Sequence, residues 1–389
     1  MLTGTMNPQF QRPAPTSVRP PTASVASWLS VLFVLLLATI CVGGYVRLSE
    51  SGLSIATWPF VNGSFLPPLS DAGWVELKAA FIADQDRLRE AARNGAVGIG
   101  SLGRVPEDMG AFKHMVLIEW AHRLVATIVG LVAAGCLSVT LRHAETRRRA
   151  GLLMATTSVL IIAQAIVGGL LVHSGTATHW LFVHLGTAAL ILALIVWTIL
   201  RLVAPVEVVA PATVRARRGL RVIAWTAAVV TWFQIMLGAL VAGSRGSDRD
   251  ALAGNDFSSE WPLMAGRLLP DLWVEQRSLT WNLLDNAFLH QWVHRWFAML
   301  VVVAIVALIV VALRAPTGPR LRLGLRVVAT FLFAQVILGL ANVTLTHPTM
   351  VSLSHLVMGM FLLAGLILVA HDAMREPAEL DSTPEAVRA

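Results

Sequence analysis

Marked only as apolar or polar, the chain falls into long apolar runs separated by polar breaks. Runs near 27–46, 115–140, 152–172, 178–200, 221–243, 288–313, 326–345 and 350–371 each reach the length needed to cross a bilayer. That length is about 20 residues, because backbone amides in hydrocarbon must bond within their own helix and each residue rises about 1.5 Å. Spans one, three, five, seven and eight are almost free of charge. Spans two and six open on polar motifs, "EWAHRL" at 119–124 and "QWVHRW" at 291–296, and continue into long apolar tails. The pattern predicts an all-α integral membrane protein with eight transmembrane helices.

Composition agrees with this reading. The 389 residues are 56% hydrophobic and 14% charged, and the mean hydropathy is +0.69, too apolar for a soluble domain. Arginines set the orientation, since short positive loops stay cytoplasmic. Arg12 and Arg19 precede span one; Arg142, Arg147, Arg148 and Arg149 follow span two; Arg215, Arg217, Arg218 and Arg221 separate spans four and five. Arg314, Arg320, Arg322 and Arg326 separate spans six and seven, and Arg375 follows span eight. Both ends are therefore expected inside. Topology accounts for the net charge of +7, which implies no nucleic-acid partner. Cys41 and Cys136 fall at opposite depths, which excludes a disulfide between them.

The chain also repeats itself. "EWAHRL" at 119 answers "QWVHRW" at 291, "AQAIVGGLLV" at 163 answers "AQVILGLANV" at 334, and "VHLGTA" at 183 answers "SHLVMG" at 354. Gln164 to His184 and Gln335 to His355 are both 20 residues. A unit of four helices, used twice, enters the membrane from the same side each time, so the copies form a parallel repeat: two four-helix bundles related by a pseudo-two-fold axis along the membrane normal. The expected organisation is a disordered cytoplasmic tail 1–26, a first bundle 27–200 with outer loop 47–114, and a linker 201–220. A second bundle 221–371 with outer loop 244–287 and a tail 372–389 complete it. Residues 82–110 carry no pattern we can assign to an element.

The repeat puts His122, His184, His294 and His355 in the first two turns of spans two, four, six and eight, at one level near the outer face. An ionisable group in hydrocarbon costs about 2.5–3.5 kcal/mol when charged, so it has a partner or a task. For one histidine, a neutral ring bonded to a neighbouring helix competes with a functional reading. Four at one depth in a duplicated frame point to sites. Two imidazoles facing across a bundle suit the axial positions of haem iron, whereas zinc or copper would want further clustered ligands. We pair His122 with His184 and His294 with His355. Arg123 and Arg295 follow their histidines at the rim, where a guanidinium can grip a haem propionate or simply snorkel to water. Glu119 precedes His122 by three residues, where the second copy has Gln291, which cannot titrate. This carboxylate could carry protons, stabilise positive charge, or pair structurally with Arg123. His290, His173, His179 and His347 read as water-facing or interfacial, with a proton relay as a further role for His290. Gly168, Gly169, Gly238 and Gly339 read as helix-packing positions.

Taken together, "GGYVRLSESGLSIATWPFVNGSFLPPLS", "EWAHRL", "QAIVGGLLVHSG", "QIMLGALVAGSRGS", "WPLMAGRLLP", "DNAFLHQWVHR" and "LGLANVTLTHPTMVSLSHLVMG" resemble the haem A synthase family over nearly the whole chain. Members oxidise the C8 methyl of haem O to the formyl of haem A for terminal oxidases. The resemblance implies substrate haem at His122 and His184, a bound haem b with its iron at His294 and His355, and a functional acid at Glu119. It also implies a haem O synthase and an electron donor as partners, membrane lipid around the helices, and a bacterial inner-membrane location with the haem sites near the periplasmic side; homo-oligomer formation is left open. Some members carry an outer-loop cysteine pair that is missing here, which brings the chain closer to the branch shared by proteobacteria and mitochondria. A dihaem b-type electron carrier is the competing function. A transporter fits poorly, because no charge lies deep in the helices.

Overall fold

The computed structural model describes residues 21–94, 105–203, 211–244, 260–314 and 317–374. Among the described residues eight helices are long and apolar enough to cross a membrane: α1 (Pro21–Leu48), α3 (Met109–Arg142), α4 (Ala144–His173), α5 (Thr178–Val203), α6 (Pro211–Ser244), α8 (Ala287–Leu313), α9 (Pro319–Thr344) and α10 (Thr349–Met374). Two more, α2 (Asp71–Arg93) and the short α7 (Leu279–Leu284), lie in the long loops. Among the described residues no β-strand forms, only isolated bridges. The chain is thus an all-α, multi-pass membrane protein.

Four helices form the centre. α1 packs on α5, α6 on α10, α5 on α6 and α5 on α10, and these helices contribute most of the buried core. α3 and α4 flank α1 and α5, while α8 and α9 flank α6 and α10, so matching pairs recur in the two halves. Small residues let the central backbones approach, the usual device where lipid removes any hydrophobic drive between helices. A Cβ on Gly186 of α5 would meet the Met236 side chain at 2.9 Å, and one on Gly243 of α6 would meet Thr178 at 2.7 Å. Trp232 of α6 donates to the Gly186 carbonyl at 2.8 Å. Arg47, at the end of α1, donates to the carbonyls of Ala242 and Gly243 at the end of α6, closing the contact between halves at the loop-rich end. At the other end Arg320 pairs with the buried Asp372 at 2.8 Å.

Several boundaries move. α1 begins at Pro21, so residues 21–26 are helical rather than tail; 1–20 and 375–389 lie outside the described residues, as do 204–210 of the linker. α3 begins at Met109, capped by Asp108, whose side chain accepts from the Ala111 amide at 2.7 Å. Its first turns therefore extend past the apolar run, and His122 lies more than three turns from the helix start. The stretch 82–110, without an assigned element from sequence, contains the second half of α2, and α2 carries an apolar stripe along its whole length. There Trp74, Leu77, Phe81, Gln85 and Leu88 recur at helical spacing and are buried. This stripe docks on Phe112 and Val116 of the α3 extension and on Ile55 and Val61 of the loop. The Phe81 and Phe112 rings lie 5.5 Å apart.

Phe81→Ala removes the centre of this small core. Truncating a buried phenylalanine costs about 3–5 kcal/mol, more than one amphipathic helix is expected to withstand. Limited proteolysis should then cut within 71–93, while the eight spans stay protected; equal resistance of variant and parent would refute the docking.

Candidate functional site

Each of the four histidines rests against a glycine on a neighbouring helix. Cβ atoms built on Gly43 of α1 and Gly168 of α4 would meet the Cε1 atoms of His122 and His184 at 2.7 and 3.4 Å. In the second half, those on Gly238 of α6 and Gly339 of α9 would meet the Cε1 atoms of His294 and His355 at 3.2 and 3.1 Å. The order along each half is the same: glycine, histidine, glycine, histidine on successive spans. These glycines thus do more than let helices approach. Gly43, Gly238 and Gly339 seat imidazoles, while Gly168 faces His184 at an ordinary contact distance.

Glutamines on neighbouring helices support the seats. Gln164 donates to the His184 carbonyl at 2.9 Å and Gln234 to the His294 carbonyl at 2.9 Å, while the Gln335 amide approaches His355 Nε2 at 3.4 Å. In the second half the His294 and His355 ring centroids are 6.4 Å apart with planes at 77°. Two imidazoles sharing one metal at about 2 Å per bond place their centroids about 6 Å apart. Nδ1 of His122, His184 and His355 is buried without a hydrogen-bond partner. Among the described residues no three His, Cys, Asp or Glu side chains cluster as a metal site. A donor set of two opposed imidazoles leaves the remaining positions to the ligand's own atoms, as in a porphyrin. The residues present therefore fit haem.

Above each pair sits a loop that sequence comparison of the halves missed. Val61 and Ser64 exchange backbone hydrogen bonds of 2.7 and 3.0 Å, and Met264 and Arg267 exchange bonds of 2.9 and 3.1 Å. The residues between them have positive φ in both hairpins: Asn62 (47°) and Gly63 (84°), Ala265 (49°) and Gly266 (73°). That is the turn whose twist matches a tight hairpin. α3 and α8 hold these hairpins identically. Trp120 donates to the Phe65 carbonyl at 3.0 Å and Trp292 to the Leu268 carbonyl at 2.9 Å. Arg123 donates to the Thr57 carbonyl at 2.6 Å and Arg295 to the Glu260 carbonyl at 2.8 Å. The retained Trp-Pro of "TWPFVNGSF" and "EWPLMAGRL" was the available signal.

Glu119 and Gln291 then diverge. Glu119 is 3% exposed and accepts from Ser54 Oγ at 2.8 Å, the Ile55 amide at 3.0 Å and Arg123 at 2.5 Å. Arg123 also donates to the Ile55 carbonyl at 2.9 Å. Sequence reasoning missed Ser54 and Ile55. The Gln291 amide instead lies 3.4 Å from Nε2 of His347, a residue in the left-handed region at φ 61°. His290 is not water-facing: it is 4% exposed, with Nδ1 at 3.0 Å from Ser244 Oγ and Nε2 at 3.0 Å from the Leu283 carbonyl. Both ring nitrogens are satisfied, so its burial needs no ligand. Cys41 and Cys136 are free thiols.

The family model described as cytochrome oxidase assembly protein matches residues 26–367, spanning both histidine pairs and both hairpins. The chain belongs to this family. It is similar to the heme A synthase of Erythrobacter litoralis, 33% identical over 360 residues, 90% of this chain and 96% of the relative. It is similar also to that of Paracoccus denitrificans, 34% identical over 371 residues, 92% of this chain and 89% of the relative. The Methylobacterium radiotolerans heme A synthase is 34% identical over 360 residues, 87% of each chain. For this family member the described geometry supplies two like sites with unlike surroundings.

If the glycines are imidazole seats, filling them should displace the rings. Gly238→Val and Gly339→Val are expected to lower the reduced-minus-oxidised haem absorbance per protein at least about tenfold, since a displacement worth 1.4 kcal/mol is a factor of ten. Gly135→Val is the control, because nothing lies within 4 Å of its Cβ position. Wild-type absorbance in the two seat variants would remove the glycines from the site.

Proposed function

We propose that the chain is a haem A synthase, an enzyme that oxidises the C8 methyl of haem O to a formyl group. The observation that carries this reading is a duplicated, glycine-seated histidine pair with a buried carboxylate beside one copy only. His122 and His184 take the substrate, haem O. His294 and His355 hold haem b as resident cofactor. The arginine distribution supports assigning the loop-rich end, and with it both proposed sites, to the periplasmic side of a bacterial inner membrane.

His122 and His184 belong to a flanking and a central helix, so a macrocycle clasped between them is fixed against both layers. Glu119 precedes His122 by one turn. Both of its oxygens are engaged by donors, which ties it to the segment 54–57 and to Arg123. We assign it the role of a fixed acceptor that stabilises positive charge developing on the substrate, in preference to a mobile proton carrier. Arg123 spends its Nη1 and Nη2 atoms on loop carbonyls and Glu119. Its contribution to a propionate is accordingly the charge it sets at the rim, and Arg295 plays the same part in the second half. When bound, haem b supplies the electron-transfer chemistry. Gln291 leaves that site without a carboxylate at the Glu119 position.

A dihaem carrier is the second reading, since it needs the same four histidines. Against it stands the placement of both pairs at the loop-rich end, which serves transfer across a bilayer poorly.

Purified protein supplied with haem O should yield alcohol and aldehyde derivatives among its extracted haems when an oxidant is present to take up the four electrons lost between methyl and formyl, tried both as dioxygen with a reductant and as an artificial electron acceptor in water. His294→Ala and His355→Ala should lose the resident haem and all turnover. Glu119→Gln should keep that haem and lower turnover about 100-fold, the lower end of what loss of one positioned electrostatic group costs. Two stable haems with no oxidised product would favour the carrier instead.

A further inference from the structure

The halves differ at one seam. α3 packs along α4 and closes the first ring of helices, whereas α8 and α9 barely touch. The closed seam is bridged from outside. The hairpin at 57–65 hangs on α3 through Arg123 and Trp120, and its Trp58 reaches across to α4. There the indole fills the notch of Gly169, where a Cβ would meet Cδ2, Cε3 and Cε2 at 2.9, 3.1 and 3.2 Å. The preceding residue, Gly168, faces the His184 ring at an ordinary contact distance of 3.4 Å. One step of α4 thus lies beside both the histidine and the indole, and the indole is the group that requires a glycine there. In the second half the residue after Gly339 is Leu340, so the glycine notch that Trp58 occupies has no counterpart there, although the two indoles are similarly exposed, 38% for Trp58 and 46% for Trp261.

A methyl group reaches a formyl group by a four-electron change that passes through the alcohol. One added hydroxyl alters a large macrocycle little, so affinity alone discriminates weakly between substrate and half-oxidised product. Confinement is the remaining means of completing the second oxidation. Building on the proposed function, we infer that Trp58 and Gly169 form a strap across the α3–α4 seam that retains the alcohol between oxidations. Trp58 is a positioning residue in this scheme. The second half has no need of a strap, because its haem stays.

Two variants test this in the full-length protein. Gly169→Leu installs the second half's residue and evicts the indole while leaving the hairpin sequence intact; Trp58→Ala removes the indole. Both are loaded with haem O, and two quantities are read: the rate of haem transfer to excess apomyoglobin, and the alcohol-to-aldehyde ratio of the extracted haems. Loss of an aromatic contact of this kind should speed transfer from the first site about tenfold, with alcohol becoming the main product and second-site haem content unchanged. Trp261→Ala should alter neither quantity. Wild-type transfer in both variants overturns the strap, and faster transfer at an unchanged product ratio overturns its role in retention. Should the parent protein form neither product, the proposed function fails on its own, while the transfer rates still decide whether the strap exists.

Discussion

The contact between a helical glycine and an imidazole is the constraint on which the rest of the molecule depends. A histidine in a membrane helix must bury a polar ring, and an ordinary neighbour would hold that ring off by a Cβ. Removing the Cβ lets the ring lie against the adjacent helix and fixes its direction. Used at Gly43, Gly238 and Gly339, the device helps set the order of the spans, because each seat requires its glycine helix beside its histidine helix. The glutamine bonds to the carbonyls of His184 and His294 then brace the same helices at the same level.

The arginines after the first histidine of each half extend this order into the loops. A guanidinium offers five donors in a fixed plane, and leaving them unpaired near hydrocarbon would be costly. Arg123 and Arg295 place donors on the carbonyls that lead into the hairpins. Each hairpin is consequently indexed to the histidine one residue away. That is why the outer loops, despite different lengths, present the same turn over both sites.

Features under strong physical constraint were legible in the sequence. Hydrocarbon thickness and the cost of charge made the eight spans visible, and spacing exposed the repeat and the four histidines. α2 escaped because its apolar stripe lies in a polar segment and docks on turns of α3 beyond the apolar run. The hairpin repeat was hidden by differing turn residues, Asn62-Gly63 against Ala265-Gly266, which share a conformation but not a composition. His290 read as interfacial because its partners, Ser244 and the Leu283 carbonyl, come from two other helices, α6 and α7. Gly168 and Gly339 read as packing residues because sequence cannot show what fills the space a glycine leaves.

The duplicated frame separates what must be shared from what is free to diverge. Imidazoles, facing glycines, rim arginines and hairpins are common to both halves, which is what the proposed holding of a macrocycle in each half requires. Glu119 against Gln291, Gly169 against Leu340, and a closed against a loose seam are the departures. Each departure alters either charge beside the ring pair or confinement around it, and neither is needed merely to hold haem. Charge and confinement are what a reacting group requires and a resident one does not. Their concentration in the first half is the physical argument for placing the chemistry there.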